Sequence, residues 1–216
     1  FTIFENIKHI DLSLILWRSS TQWIGGLYFL FSIIFLIDIY DESLKKSLTN
    51  FISFNNSEIY KQAIKIFLLY SFLTLLIFVI LNVFSIRLFD SLNLALTLIS
   101  SGGFLPVNDL SIIIRDNIQI IVLSILMFFS FFSIFFTYNL IFFKKKNINF
   151  FYEDLHLIIY LVITVTIFFL FFSFDSDFLH NLLSVSSSMS NIGFSFNSKQ
   201  TNFSFIFLIL VIIGGS

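Results

Sequence analysis

The chain has 216 residues, of which 57% are hydrophobic and 12% charged, with a formal net charge of −1 and no cysteine. A soluble domain is usually about 45–50% apolar and about 25% charged, so this balance, at a mean hydropathy of +0.97, excludes an ordinary soluble globule and reads as an all-α integral membrane protein. The near-neutral charge gives no basis for a nucleic-acid partner, and the missing thiols exclude disulfides and thiolate metal sites.

Residues 1–13 are mixed and amphiphilic, an interfacial lead-in. Residues 14–40 form a first span, whose start carries Trp17, Arg18, Gln22 and Trp23. Tryptophan and a snorkelling arginine suit a membrane–water boundary. Gly25 and Gly26 follow inside the span, where small residues let another helix approach closely. Residues 41–62 are a polar connection, and residues 63–86 a second span ending at Arg87. Residues 88–100 are apolar but too short to cross. A run of about 10–14 apolar residues reads as re-entrant, interfacial or buried.

A polar, glycine-bearing break follows, L-I-S-S-G-G-F-L-P-V-N over residues 98–108. After it come a mixed stretch to residue 116 and a third span over 117–143. Lys144, Lys145 and Lys146 form the densest positive cluster, and residues 147–156 are a short elbow. Residues 157–174 are a fourth span. A second half-length segment covers 178–190, a second break and loop 191–202, and a fifth span begins at Phe203. The chain opens on Phe1 without a signal-peptide pattern and closes inside an apolar run, so the expectation is an internal segment of a longer protein. Phenylalanine is abundant at 34 residues, which an AT-rich genome filling apolar positions explains.

The short loops with Lys45, Lys46, Lys61, Lys65 and Lys144 to Lys146 outweigh the side with Arg18, Arg87, Arg115 and Lys199. The first side is therefore expected to be cytoplasmic, and both half-length segments enter from outside.

The two breaks match. Aligning Gly103-Phe104 with Gly193-Phe194, about 90 residues later, also pairs Ser100 with Ser190 and Leu92 with Leu182. Weak internal symmetry of this kind is common in transporter folds. Irregular backbone at membrane depth is tolerated only inside protein or along a watery path, because each unpaired N–H or C=O costs several kcal/mol. Glycine adopts φ > 0 at little cost, so a short run can aim successive carbonyls one way. Rings of such carbonyls replace the water shell of a monovalent cation, and a half-helix adds the negative end of its dipole. Hydroxyls gather beside both breaks, at Thr97, Ser100 and Ser101 and at Ser184, Ser186, Ser187, Ser188 and Ser190.

These residues resemble the Trk/Ktr/HKT superfamily of potassium transporters, which repeats a helix–pore-loop–helix unit four times. L-W-R-S-S-T-Q-W-I-G-G-L, residues 16–27, is similar to the segment after the family's first pore loop. F-D-S-L-N-L-A-L-T-L-I-S-S-G-G-F, residues 89–104, is similar to the second loop, and F-L-H-N-L-L-S-V-S-S-S-M-S-N-I-G-F, residues 178–194, to the third. I-I-G-G-S, residues 212–216, resembles the start of the glycine-rich inner gate. Tyr28 stands where a glycine is usual, and Asn191-Ile192 where threonines are.

The resemblance implies an ion filter of Ser101, Gly102, Gly103 and Phe104 with Asn191, Ile192, Gly193 and Phe194, holding potassium through backbone carbonyls with no other cofactor. It implies the end of repeat one in 1–40, a cytoplasmic connection in 41–62, repeat two in 63–143, an elbow in 144–156 and repeat three in 157–216. It also implies a homodimer in the cell's inner (plasma) membrane, surrounded by lipid and regulated by a cytosolic nucleotide-binding subunit. A sodium- or proton-coupled cation carrier of the same fold stays open. A membrane enzyme is the rival from another class, but His9, His156 and His180 show no metal-binding spacing, and no G-x-S-x-G elbow is present. Asp175, Asp177 and His180 read as the wet end of a span.

Overall fold

The computed structural model describes residues 10–40, 56–131, 159 and 178–194. All regular structure among these residues is helical, with no strand: α1 Leu12–Tyr40, α2 Asn56–Val83, α3 Leu88–Ile99, α4 Asn117–Phe131 and α5 Phe178–Met189, with a single 3-10 turn at Leu110–Ile112. The connection expected over residues 41–62 is shorter than its polarity suggests, because α2 already begins at Asn56. The Lys144–Lys146 cluster, the third span beyond Phe131, the fourth span apart from Ile159, the fifth span, Asp175, Asp177, Gly214 and Gly215 lie outside the described residues.

Among the described residues one helix is long and apolar enough to cross a membrane, over Ala63–Val83 with a mean hydropathy of 2.6. Its inner face puts Ile66, Tyr70, Leu73, Ile77 and Leu81 into the core. Its outer face leaves Leu68, Phe72, Leu75, Val79 and Val83 exposed at helical spacing. On α4, Ile118, Ile121 and Ile125 repeat this outward apolar stripe, while Gln119, Ser124 and Ser130 are buried. Both helices are thus apolar on the outer face as well as the inner one, whereas a helix of a water-soluble domain turns a polar face outward.

The short helix α3 lies at the centre, packed against α1, α2 and α4. Its residues Leu94, Ala95 and Leu98 are fully buried, together with Leu81, Leu123 and Met127 of the neighbouring helices. It also buries polar residues, Asp90, Ser91, Asn93 and Thr97. Asp90 sits in the first turn, where the helix dipole favours a carboxylate, and Arg87 Nε reaches it at 2.7 Å.

The chain from α2 to α4 dips and comes back. Gln119 Nε2 donates to the Phe84 carbonyl at 3.0 Å, so α4 starts beside the end of α2. The same Gln119 accepts from the Arg115 N–H at 2.9 Å, which fixes the first turn of α4 in the manner of a capping box. At the other end of the hairpin, the Ser130 hydroxyl donates to the Leu98 carbonyl. Twelve residues of α3 span about 18 Å at 1.5 Å per residue. The break after α3 therefore lies well below the level at which the chain went in.

α1 and α2 run antiparallel, since Trp23 of α1 pairs with Thr74 of α2 while Gly26, one turn on, faces Tyr70. The Trp23 indole N–H donates to Thr74 Oγ1 at 2.8 Å, the Tyr70 hydroxyl donates to the Trp23 carbonyl, and the two rings pack at 5.2 Å. Trp17 is 66% exposed, in keeping with a boundary position. Trp23→Phe keeps the ring contact and loses the indole donor. It is expected to cost about 1 kcal/mol, read as a lower thermal midpoint in detergent, whereas Trp17→Phe leaves the midpoint in place.

Candidate functional site

The matched breaks seen in the sequence have matched backbones. α3 and α5 have 12 residues each, and α5 starts and ends 90 positions after α3. Each helix then closes with the same two bonds. Ser101 N–H donates to Leu98 O and Gly102 N–H to Thr97 O. In the second copy, Asn191 N–H donates to Ser188 O and Ile192 N–H to Ser187 O. This is the Schellman arrangement, with Ser101 at φ 50° and Asn191 at φ 56° in the left-handed region. α2 ends in the same way through Ser85, at φ 64°, so the cap by itself marks nothing. What sets the two breaks apart is a second left-handed residue two positions later, Gly103 at φ 73° and Gly193 at φ 80°. A left-handed residue other than glycine costs roughly 1–2 kcal/mol, and glycine removes that cost where the turn is sharpest.

The two breaks also touch. A Cβ built on Gly103 would land on the carbonyl oxygen of Ile192. The glycine hydrogen in that direction instead points at the oxygen, a weak Cα–H···O contact. Of the eight residues expected to form the filter, Ile192 and Phe194 are buried, Gly102, Gly103 and Phe104 half-buried, and Ser101, Asn191 and Gly193 exposed. The fold thus brings Gly103 and Ile192 into contact from copies about 90 residues apart.

Several carbonyls of the first break are already held. Gln22 Nε2 donates to Gly102 O at 2.6 Å, Thr97 Oγ1 donates to Phe104 O at 3.1 Å, and Arg18 Nη2 donates to Leu105 O at 2.6 Å. The Arg18 guanidinium also lies 4.6 Å from the centre of the Phe104 ring, within range of a cation–π contact. Among the described residues nothing donates to the oxygens of Ser101, Gly103 or Gly193.

Arg18 and Gln22 were legible in the sequence as polar residues near the start of a span, but their partner was not. Their spacing of four puts both on one face of α1, and only the packing of α1 on α3 shows that this face meets the break. Gly26 permits that packing, since a Cβ there would fall 2.7 Å from Ser100 Cβ. The adjacent Gly25 faces open space, so only one of the pair serves the close approach expected of both.

The serines of α5 mostly satisfy themselves along the helix. Ser184, Ser188 and Ser190 donate to the carbonyls four residues back. Ser186 turns to Leu183 O and to the Met127 sulfur at 3.5 Å, against α4. Back-bonding of this kind lets a polar helix lie in a dry interior. Among the described residues no three His, Cys, Asp or Glu side chains cluster closely enough to hold a metal ion. Compared with known proteins, the chain matches no family model, no curated relative and no solved structure.

Proposed function

We propose that this chain is part of a multi-pass membrane protein that takes up potassium, with peptide oxygens of the two breaks replacing the ion's water shell. The observation that carries this reading is the contact between Gly103 and the Ile192 carbonyl. It brings two half-helices with identical caps to one place, where their breaks can line the same path. Two further features support it. The α3 hairpin goes in and returns at the same end, and the buried polar residues of α3 and α4 sit behind outward apolar stripes, as expected where hydrocarbon is the solvent. Each half-helix aims its carboxyl end, with its partial negative charge, at the break.

On this reading the repeats are helix–pore-loop–helix units. Ser101, Gly103 and Gly193 supply oxygens to which none of the described residues donates, and the remaining filter residues shape the wall. Lipid covers α2, the location is the plasma membrane, and the protein is a transporter rather than an enzyme. The dimer and the cytosolic nucleotide-binding subunit rest on the motif resemblance alone. Asn191-Ile192, standing where the resembling family carries threonines, favours a second reading, in which the same fold passes another monovalent cation or couples uptake to sodium or protons.

The test is ion flux through the full-length protein in potassium-depleted cells or vesicles. Gly103→Ser and Gly193→Ser are each expected to weaken potassium-over-sodium selection. Unchanged selection in both variants defeats the assignment, and selection for sodium in the parent protein moves it to the second reading.

A further inference from the structure

Gln22 has its amide orientation dictated by what surrounds it. The Gly102 oxygen can only accept, so the Gln22 nitrogen must face it. That turns Gln22 Oε1 toward the Thr97 hydroxyl, at 3.3 Å. Thr97 has one proton and stands within reach of both Gln22 Oε1 and Phe104 O, so it is held between α1 and the break. The fit is tight: a Cβ on Gly102 would lie 2.5 Å from Gln22 Cδ. Through Gln22 and Thr97, the oxygens of Gly102 and Phe104 are pinned on both sides of Gly103. Arg18, one turn earlier on α1, extends the hold to Leu105.

We propose that Gln22 and Thr97 are positioning residues for ion selection: by fixing the peptides before and after the Gly103–Phe104 peptide they fix the direction of the Gly103 oxygen. Glycine is the residue whose peptide rotates most freely. An unheld Gly103 would let its oxygen adapt to ions of different radius, and selection between ions depends on the number and rigidity of such oxygens. α1 therefore acts as an external brace on a loop that belongs to the next repeat. This inference rests on the filter reading above, and its test separates the two.

The experiment measures the potassium-to-sodium flux ratio of the full-length protein, a quantity independent of how much protein is inserted. Gln22→Met keeps the side-chain length and removes the bond to the Gly102 oxygen together with the amide oxygen that faces Thr97. Gly102→Ala displaces the same carboxamide from the other side. Each is expected to lower the ratio by roughly tenfold, the scale of one lost hydrogen bond. The double variant should lose no more than either single one, because both break one contact. Thr97→Val should lower the ratio, and Thr97→Ser, which retains the hydroxyl, should restore it. A parent-like ratio in Gln22→Met and Gly102→Ala, while Gly103→Ser lowers it, overturns the brace and leaves the filter standing. A parent-like ratio in Gly103→Ser and Gly193→Ser removes the filter itself. Additive losses in the double variant also overturn the brace, since two independent defects would then be at work.

Discussion

Gly26→Leu is expected to push α1 off α3 and to lower stability by about 1–3 kcal/mol or more, the range for overpacking a tight contact. The first added carbon already falls 2.6 Å from the Tyr70 hydroxyl oxygen, 2.7 Å from Ser100 Cβ and 3.0 Å from Ser100 Cα. The tyrosine could swing aside only by giving up its bond to the Trp23 carbonyl. Ser100 cannot swing aside, because its Cβ and Cα are fixed by the main chain of the residue that caps α3. The damage should therefore spread into the break and, on the proposed function, reduce potassium flux as well. Gly25→Leu, one residue earlier, places its side chain in open space and is the matched control. Thermal unfolding in detergent reads the difference, and equal midpoints for the two variants would show that α1 and α3 are not in close contact.

The second large effect separates the two glycines that the sequence makes equivalent. Gly103→Ala and Gly193→Ala both force an L-residue to a positive φ, at a cost of roughly 1–2 kcal/mol each. Gly193 has nothing within 4 Å of the added carbon, so its loss should stop there. Gly103 meets the Ile192 carbonyl, which is main chain of the second break and can yield only if that break moves. Gly103→Ala is expected to be the more destabilising and to reduce ion selection further than Gly193→Ala. Equal losses in stability and selection would mean that the two breaks do not touch.

These two comparisons bear on how far the copies are alike. The caps are the same bond for bond, but the surroundings are not. The first break is braced from outside by Arg18, Gln22 and Thr97. In the second half-helix, Ser184, Ser188 and Ser190 bond back along their own helix. A repeat in sequence can thus give one local shape with two different means of support.

Much was written in the sequence itself. Hydropathy and length placed a half-helix over residues 88–100 against an observed Leu88–Ile99, and another over 178–190 against Phe178–Met189. Those limits are local: a helix must end where its chain turns left-handed, at Ser101 and at Asn191. The positive φ of Gly103 and Gly193 follows from the same cause. What only the tertiary structure decided is which distant groups meet. Sequence shows Arg18 and Gln22 as polar residues at a membrane boundary, because a boundary is the commonest place for them in a span. The close approach at Gly26 instead turns that face of α1 onto the break. Nor does periodicity reveal that Gln119 reaches Phe84 and closes the hairpin, or that Gly103 rests against Ile192. Helix periodicity encodes which way a side chain points from its own axis. The partner waiting there depends on how the helices pack, and that is settled by contacts between residues far apart in the chain.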